Sequence, residues 1–156
     1  MTPRKELFIK IKQALNTISS LEYIDLNRNQ FGSDKFPDCM ISALIKINGI
    51  QWERMVEQIQ EGETTVEITL YCRDGWRDQH NGTSDAEHGL IEIDLIDEIA
   101  EALEDLKGDY FTALSLTNDD AEQEDLLGVF AYKLTFSTQI FRKINPKYSL
   151  KTIISS

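Results

Sequence analysis

The residues best suited to chemistry fall in one stretch, CRDGWRDQHNGTSDAEHG at 72–89, which holds both histidines and one of the two cysteines of the chain. Asp74, His80, Asp85 and His88 offer nitrogen and oxygen donors of the kind that bind zinc or a related ion, and a metal-assisted hydrolase centred on His80 and His88 is the enzymatic reading they allow. Their spacing argues against it. Histidines at 80 and 88, in a segment dense with Gly, Asn, Ser and Asp, match none of the close pairs, such as i and i+4 on a helix, that pre-arrange ligands. The stretch reads instead as a solvated strand-to-helix loop in which Ser84 or Asp85 caps the next helix. Nucleophilic chemistry fares no better. Cys39 and Cys72 sit in apolar runs, where burial raises a thiol pKa and makes it inert. No nucleophile elbow, phosphate loop, dinucleotide fingerprint or Cys-x-x-Cys stands in the sequence, so no catalytic, cofactor-binding or metal-binding residue is assigned.

If the chain does no chemistry, its elements must present surfaces. At 156 residues, 41% hydrophobic and 28% charged, the chain suits one globular domain spanning 1–156. The formal charge of −11 argues against binding nucleic acid through its phosphates, which needs clustered Lys and Arg. No apolar run is long enough for a membrane span, and the N-terminus has no secretory pattern, so a cytoplasmic location with both thiols reduced is expected.

Leu7, Phe8, Ile11, Ala14, Leu15 and Ile18 recur at steps of three and four and predict an amphipathic helix over 4–18, with Pro3 in its first turn. LEYIDL reads as a strand, and CMISALIKI from Cys39 as another. Asn48-Gly49 is a strong hairpin signal, so IQWERMVEQIQ, which also has helical spacing, is assigned as the next strand. A turn at Glu61-Gly62-Glu63 then leads to TTVEITLYC, with Val66, Ile68, Leu70 and Cys72 on one face, completing a three-strand meander. Leu90, Ile91, Leu95, Ile99, Leu103 and Leu106 mark a second helix within 87–107, capped by Gly108 and acidic on its outer face. TALSLT is a short strand before the acidic loop NDDAEQEDLLG. VFAYKLTFSTQIF alternates cleanly as the last strand, and 144–156 forms a docking or frayed tail. The expected fold is α+β: an antiparallel sheet of about five strands with two amphipathic helices on one face.

This order resembles the tail terminator and related tail-completion proteins of long-tailed bacteriophages and prophages. The resemblance is carried by RKELFIKIKQAL, FPDCMISALIKI, IQWERMVEQIQEGETTVEITLY, LIEIDLIDEIAEAL and GVFAYKLTFSTQIF. It implies a non-enzymatic virion subunit that assembles with itself into a ring, a hexamer in the family. The ring would sit at the tail-tube end or head-tail junction, in contact with tube or connector proteins. The protein would then lie in the cytoplasm of the host bacterium and in the virion tail. An acidic ring would repel duplex DNA and let it slide.

Ring contacts need elements that reach beyond the domain body, which points to loops 27–37, 72–88 and 117–127. Phe31, Trp76, Arg77, Asp119, Asp120 and Glu122 are the candidate interface residues. Trp76, with no apolar sequence neighbours, either folds back over the sheet or meets a partner. The rival reading is an acidic monomeric module that inhibits or chaperones a basic partner through Glu92 to Asp105 and Asp119 to Asp125.

Overall fold

The computed structural model describes residues 1–30, 41–54, 58–73, 81–87, 90–122 and 129–144. In chain order these form α1 (Pro3–Leu15), β1 (Tyr23–Leu26), β2 (Ile41–Ile47), β3 (Gln51–Arg54), β4 (Ile59–Arg73), α2 (Ile91–Leu103), β5 (Ser115–Glu122) and β6 (Val129–Lys143). The fold is α+β. Six strands make one mixed sheet in the order β1-β2-β4-β6-β5, with β3 also paired to β4.

The helical periodicity decides where α1 and α2 sit. Leu7, Ile11 and Leu15 of α1 are fully buried, as are Ile99 and Leu103 of α2, and all join one cluster with Ile45, Val66, Ile68, Leu70, Leu134, Phe136 and Ile140 of the sheet. Both helices therefore cover the same face. Burying the three α1 side chains contributes about 5–9 kcal/mol before the entropy of ordering is counted. An Ile11→Asp change would place a charge in that core. The helix stops at Asn16, whose N–H donates to Lys12 O at 2.9 Å, and the Thr17 hydroxyl closes the end by donating to Ala14 O at 2.6 Å.

The sheet departs from the expected meander. Asn48-Gly49 does not join β2 to β3 as a hairpin, because both strands lie along the same side of β4: Ile47 pairs with Val66 and Gln51 with Glu63. Between these points one side gains a residue, so 48–50 is a bulged break in a continuing edge. A two-residue hairpin of the Asn-Gly kind needs φ above zero at both residues, and neither Asn48 nor Gly49 has it. The Asn48 amide donates instead to Thr65 Oγ1 at 2.7 Å. Nor is Gly62 a turn. It lies inside β4, paired with Trp52, where an added Cβ would stand 2.5 Å from Ile50 Cγ2 and 2.9 Å from Gln51 O. Glycine is there because β3 approaches so closely. The assignment of 50–60 as strand holds for Gln51–Arg54.

Four further expectations change. The sheet is not wholly antiparallel, since β1 runs parallel to β2; their connection, 27–40, has the dozen or more residues that a parallel crossover requires. Helix α2 ends at Leu103, and Asp105 takes the left-handed conformation at φ +63°. Gly108 does not cap it but leaves room for the Glu6 carboxylate and the Phe111 ring. At the other end Leu90 is the N-cap without a side-chain bond, while Asp85 accepts from Glu87 N at 3.0 Å within its own turn. Ile91, placed in the apolar stripe, is exposed.

Candidate interaction surface

With one face under the helices, the functional candidates lie on the opposite face and at the sheet's edges. Strand β5 forms one edge. Its residues 118–122 were expected in a loop, yet Asn118, Asp119, Asp120, Ala121 and Glu122 pair with β6 opposite Thr135 to Ala131, after a register shift between Leu116 and Asn118. Acidic residues disfavour central strands, but an edge strand leaves one side in water, and charge there blocks unwanted pairing.

Tyr132 of β6 fastens this edge. Its hydroxyl donates to Asp119 Oδ1 at 2.8 Å. That bond raises the phenol pKa, helped by burial and by the negative charges of Asp119, Asp120 and Asp97. A second tie is made by Glu104, whose Oε2 accepts from Leu116 N at 3.0 Å. Asp97, Glu101 and Glu104 recur at helical spacing and lie on one stripe. The α2 acids and Asp119, which pairs beside the buried Leu134, thus form one exposed strip on the helix side of the sheet, whereas Asp120, opposite Lys133, belongs to the open face.

Neighbouring side chains on the open face alternate in charge. Lys133 lies opposite Asp120 and 3.9 Å from Glu67. Both members of the Lys133–Glu67 pair are partly exposed, so it contributes about 0–1 kcal/mol. Further along this face a groove of about 660 Å³ is lined by Gln51, Glu63, Thr65, Ser115, Ser137 and Gln139. Two nearby hydroxyls are already engaged: Thr64 donates to Asn48 O and Thr138 to Thr112 O. Glu63 is the one titratable group of its lining, whereas acid-base work needs two groups with pKa values driven apart.

No protein-family model and no curated protein significantly matches this chain.

Cys72 is 2% exposed. Burial pushes its thiol up to about 12, and the Glu92 carboxylate adds to the shift. Such a thiol is almost wholly protonated at neutral pH and is a poor nucleophile and ligand. Among the described residues, no group of three or more His, Cys, Asp or Glu is arranged to hold a metal ion. No described helix is long and apolar enough to cross a membrane.

Of the six candidate interface residues, Asp119 and Asp120 are exposed on β5. Glu122 pairs with Ala131 at the end of that strand. Phe31, Trp76 and Arg77 lie outside the described residues, as do Cys39, Asp74, His80, His88 and the tail from 145. Tyr132 was missed as a site residue. Its alternation marks it as a core residue, and only the pairing of β5 with β6 brings Asp119 within reach of its hydroxyl.

Proposed function

We propose that the chain is a non-catalytic structural subunit that closes into a homo-oligomeric ring, of the phage or prophage tail-completion class. Its place would be at the tail-tube end or the head-tail junction, with tube or connector proteins as partners and the host cytoplasm and virion tail as its locations. The observation that carries this reading is the inequality of the sheet's two edges. At one edge stands β1, four residues long and parallel to its neighbour; at the other stands β5, eight residues long and acidic. Two different surfaces that fit each other join copies head to tail and generate a ring when the rotation closes, and the unlike edges offer such a pair. The net charge of −11 supports a lumen through which DNA passes without being held.

The test is solution mass by light scattering across concentration and salt, with and without tail-tube protein, followed by electron microscopy of any assembled fraction. A discrete multiple of the subunit mass and closed rings are expected. A monomer under every one of these conditions overturns the proposal.

The joined acidic strip of α2 and β5 supports a second reading, a monomeric module for a basic partner. That reading requires salt-sensitive binding that is abolished when Asp97, Glu101 and Asp119 are neutralised together.

A further inference from the structure

At the far end of β6 from Tyr132 the charge changes sign. Arg142 lies with its guanidinium 4.4 Å from the centroid of the Trp52 ring, and both its Nε and a terminal nitrogen donate to Gln60 Oε1. Beside it a pocket of about 210 Å³ is lined by Thr2, Pro3, Arg4, Trp52 and Arg142. Arg4 and Arg142 are exposed while Trp52 is half-buried. Neither guanidinium has a carboxylate within ion-pair distance among the described residues. The chain has 27 acids against 16 lysines and arginines, yet among the described residues no carboxylate pairs with either arginine of this pocket.

We propose that this pocket receives a carboxylate from the acidic α2–β5 strip of a second copy of the chain. The inference rests on the ring reading and deepens it by naming the contact.

Three observations favour that occupant. The pocket is smaller than the roughly 300–1,000 Å³ of sites for drug-sized ligands but has room for a side chain. Its chemistry, one guanidinium stacked on an indole and a second in the same lining, suits a carboxylate held by charge-assisted hydrogen bonds. The strip of the same chain does not reach it, since Asp119 pairs beside Leu134 and the Leu116 that Glu104 holds pairs beside Phe136, eight and six residues along β6 from Arg142, about 26 and 20 Å at strand rise. A strip at one end and a pocket at the other make the contact heterologous, the kind that builds closed rings.

The test uses two charge-reversed forms of the full chain. One carries Arg4→Glu and Arg142→Glu; the other carries Asp97→Lys and Glu101→Lys. Each alone sets like charges against each other and should raise the concentration needed for assembly by roughly 100-fold, given the cost of facing like charges across an interface. Mixed in equal amounts, the two forms complement each other at every contact and should regain the wild-type oligomer mass. Circular dichroism confirms that each form folds. If the double arginine variant does not fold, Arg4→Glu alone, at an exposed position, replaces it in the same mixing experiment.

Wild-type rings that persist in either reversed form overturn the inference and leave the ring reading standing. Folded variants that stay apart on mixing overturn it as well. A wild-type chain that never assembles overturns the ring reading itself.

Discussion

Substituting Gly62 and Gly49 separately decides between a hairpin and a bulged edge at residues 48–50. A Gly62→Ala Cβ would lie 2.5 Å from Ile50 Cγ2, 2.9 Å from Gln51 O and 3.1 Å from Trp52 Cε3. The isoleucine methyl can turn away, but the carbonyl belongs to the backbone of β3 and moves only with its strand. Overpacking of this kind costs about 1–3 kcal/mol. Replacing glycine inside a strand by alanine returns about 0.5–1 kcal/mol, so the clash prevails and the net loss is about 1–2 kcal/mol. For a domain of this length that is a fall in Tm of about 2–8 °C.

Gly49→Ala should behave in the opposite sense. No atom lies within 4 Å of the Cβ it would add, and its φ is not positive, so alanine fits and stabilises by up to about 1 kcal/mol through the unfolded chain. Urea melts of both variants, with unchanged m-values, measure the two effects. A destabilising Gly49→Ala beside a tolerated Gly62→Ala would restore the Asn-Gly hairpin and refute the bulged edge.

Two other substitutions probe buried polar groups. Glu6 is 5% exposed and its Oε1 accepts from Tyr110 N at 3.0 Å, tying α1 to the segment after α2. Glu6→Ala should cost about 1.5–3 kcal/mol, while Glu6→Gln, which keeps an acceptor, should cost less, as chemical denaturation will show. Cys72 sets a pH dependence. Its folded pKa is raised from 9.0 to about 12, so its stabilisation is complete below the unfolded value and is lost as pH climbs through the window between the two. In a Cys39→Ser background, a thiol reagent at pH 8 should label Cys72 only as fast as the protein opens; rapid native-state labelling would contradict its burial. Cys72→Ala should flatten the alkaline fall in stability over that window.

Much of the architecture was legible because side-chain period and burial agree. The four-residue spacing of Leu7, Ile11 and Leu15, and the alternation through Val66 to Cys72 and Leu134 to Phe136, each identify a face that the sheet or helix then buries. What misled was chemistry with two structural uses. Asn-Gly serves a hairpin or a bulge, and glycine serves a turn or a close approach, and only the pairing partner decides between them. The acids at 118–122 suggested a loop because charge is rare in strands, yet the exposed side of an edge strand tolerates it. The parallel pairing of β1 leaves no trace in periodicity. For the surface, Asp119 and Asp120 were recognisable as acids, but the bond of Asp119 to Tyr132, thirteen positions away in sequence, forms only after β5 folds back on β6. The pocket of Arg4, Trp52 and Arg142 joins the start of α1 to β3 and the end of β6, which no local pattern encodes.

Strands β4 and β6 pair over their full length, from Arg73 with Val129 to Ile59 with Lys143. During synthesis the centre of the sheet therefore cannot close until Tyr132, Leu134 and Phe136 have left the ribosome. Until then the nascent chain carries β4 with a long unpaired edge and the apolar row Val66, Ile68 and Leu70 without its β6 neighbours. Pairings so distant in sequence form slowly because the loop must close before any contact rewards it. An open apolar edge in that interval is what wrong partners capture. The yield of folded subunits in a cell is then set by how long that edge is shielded after translation ends.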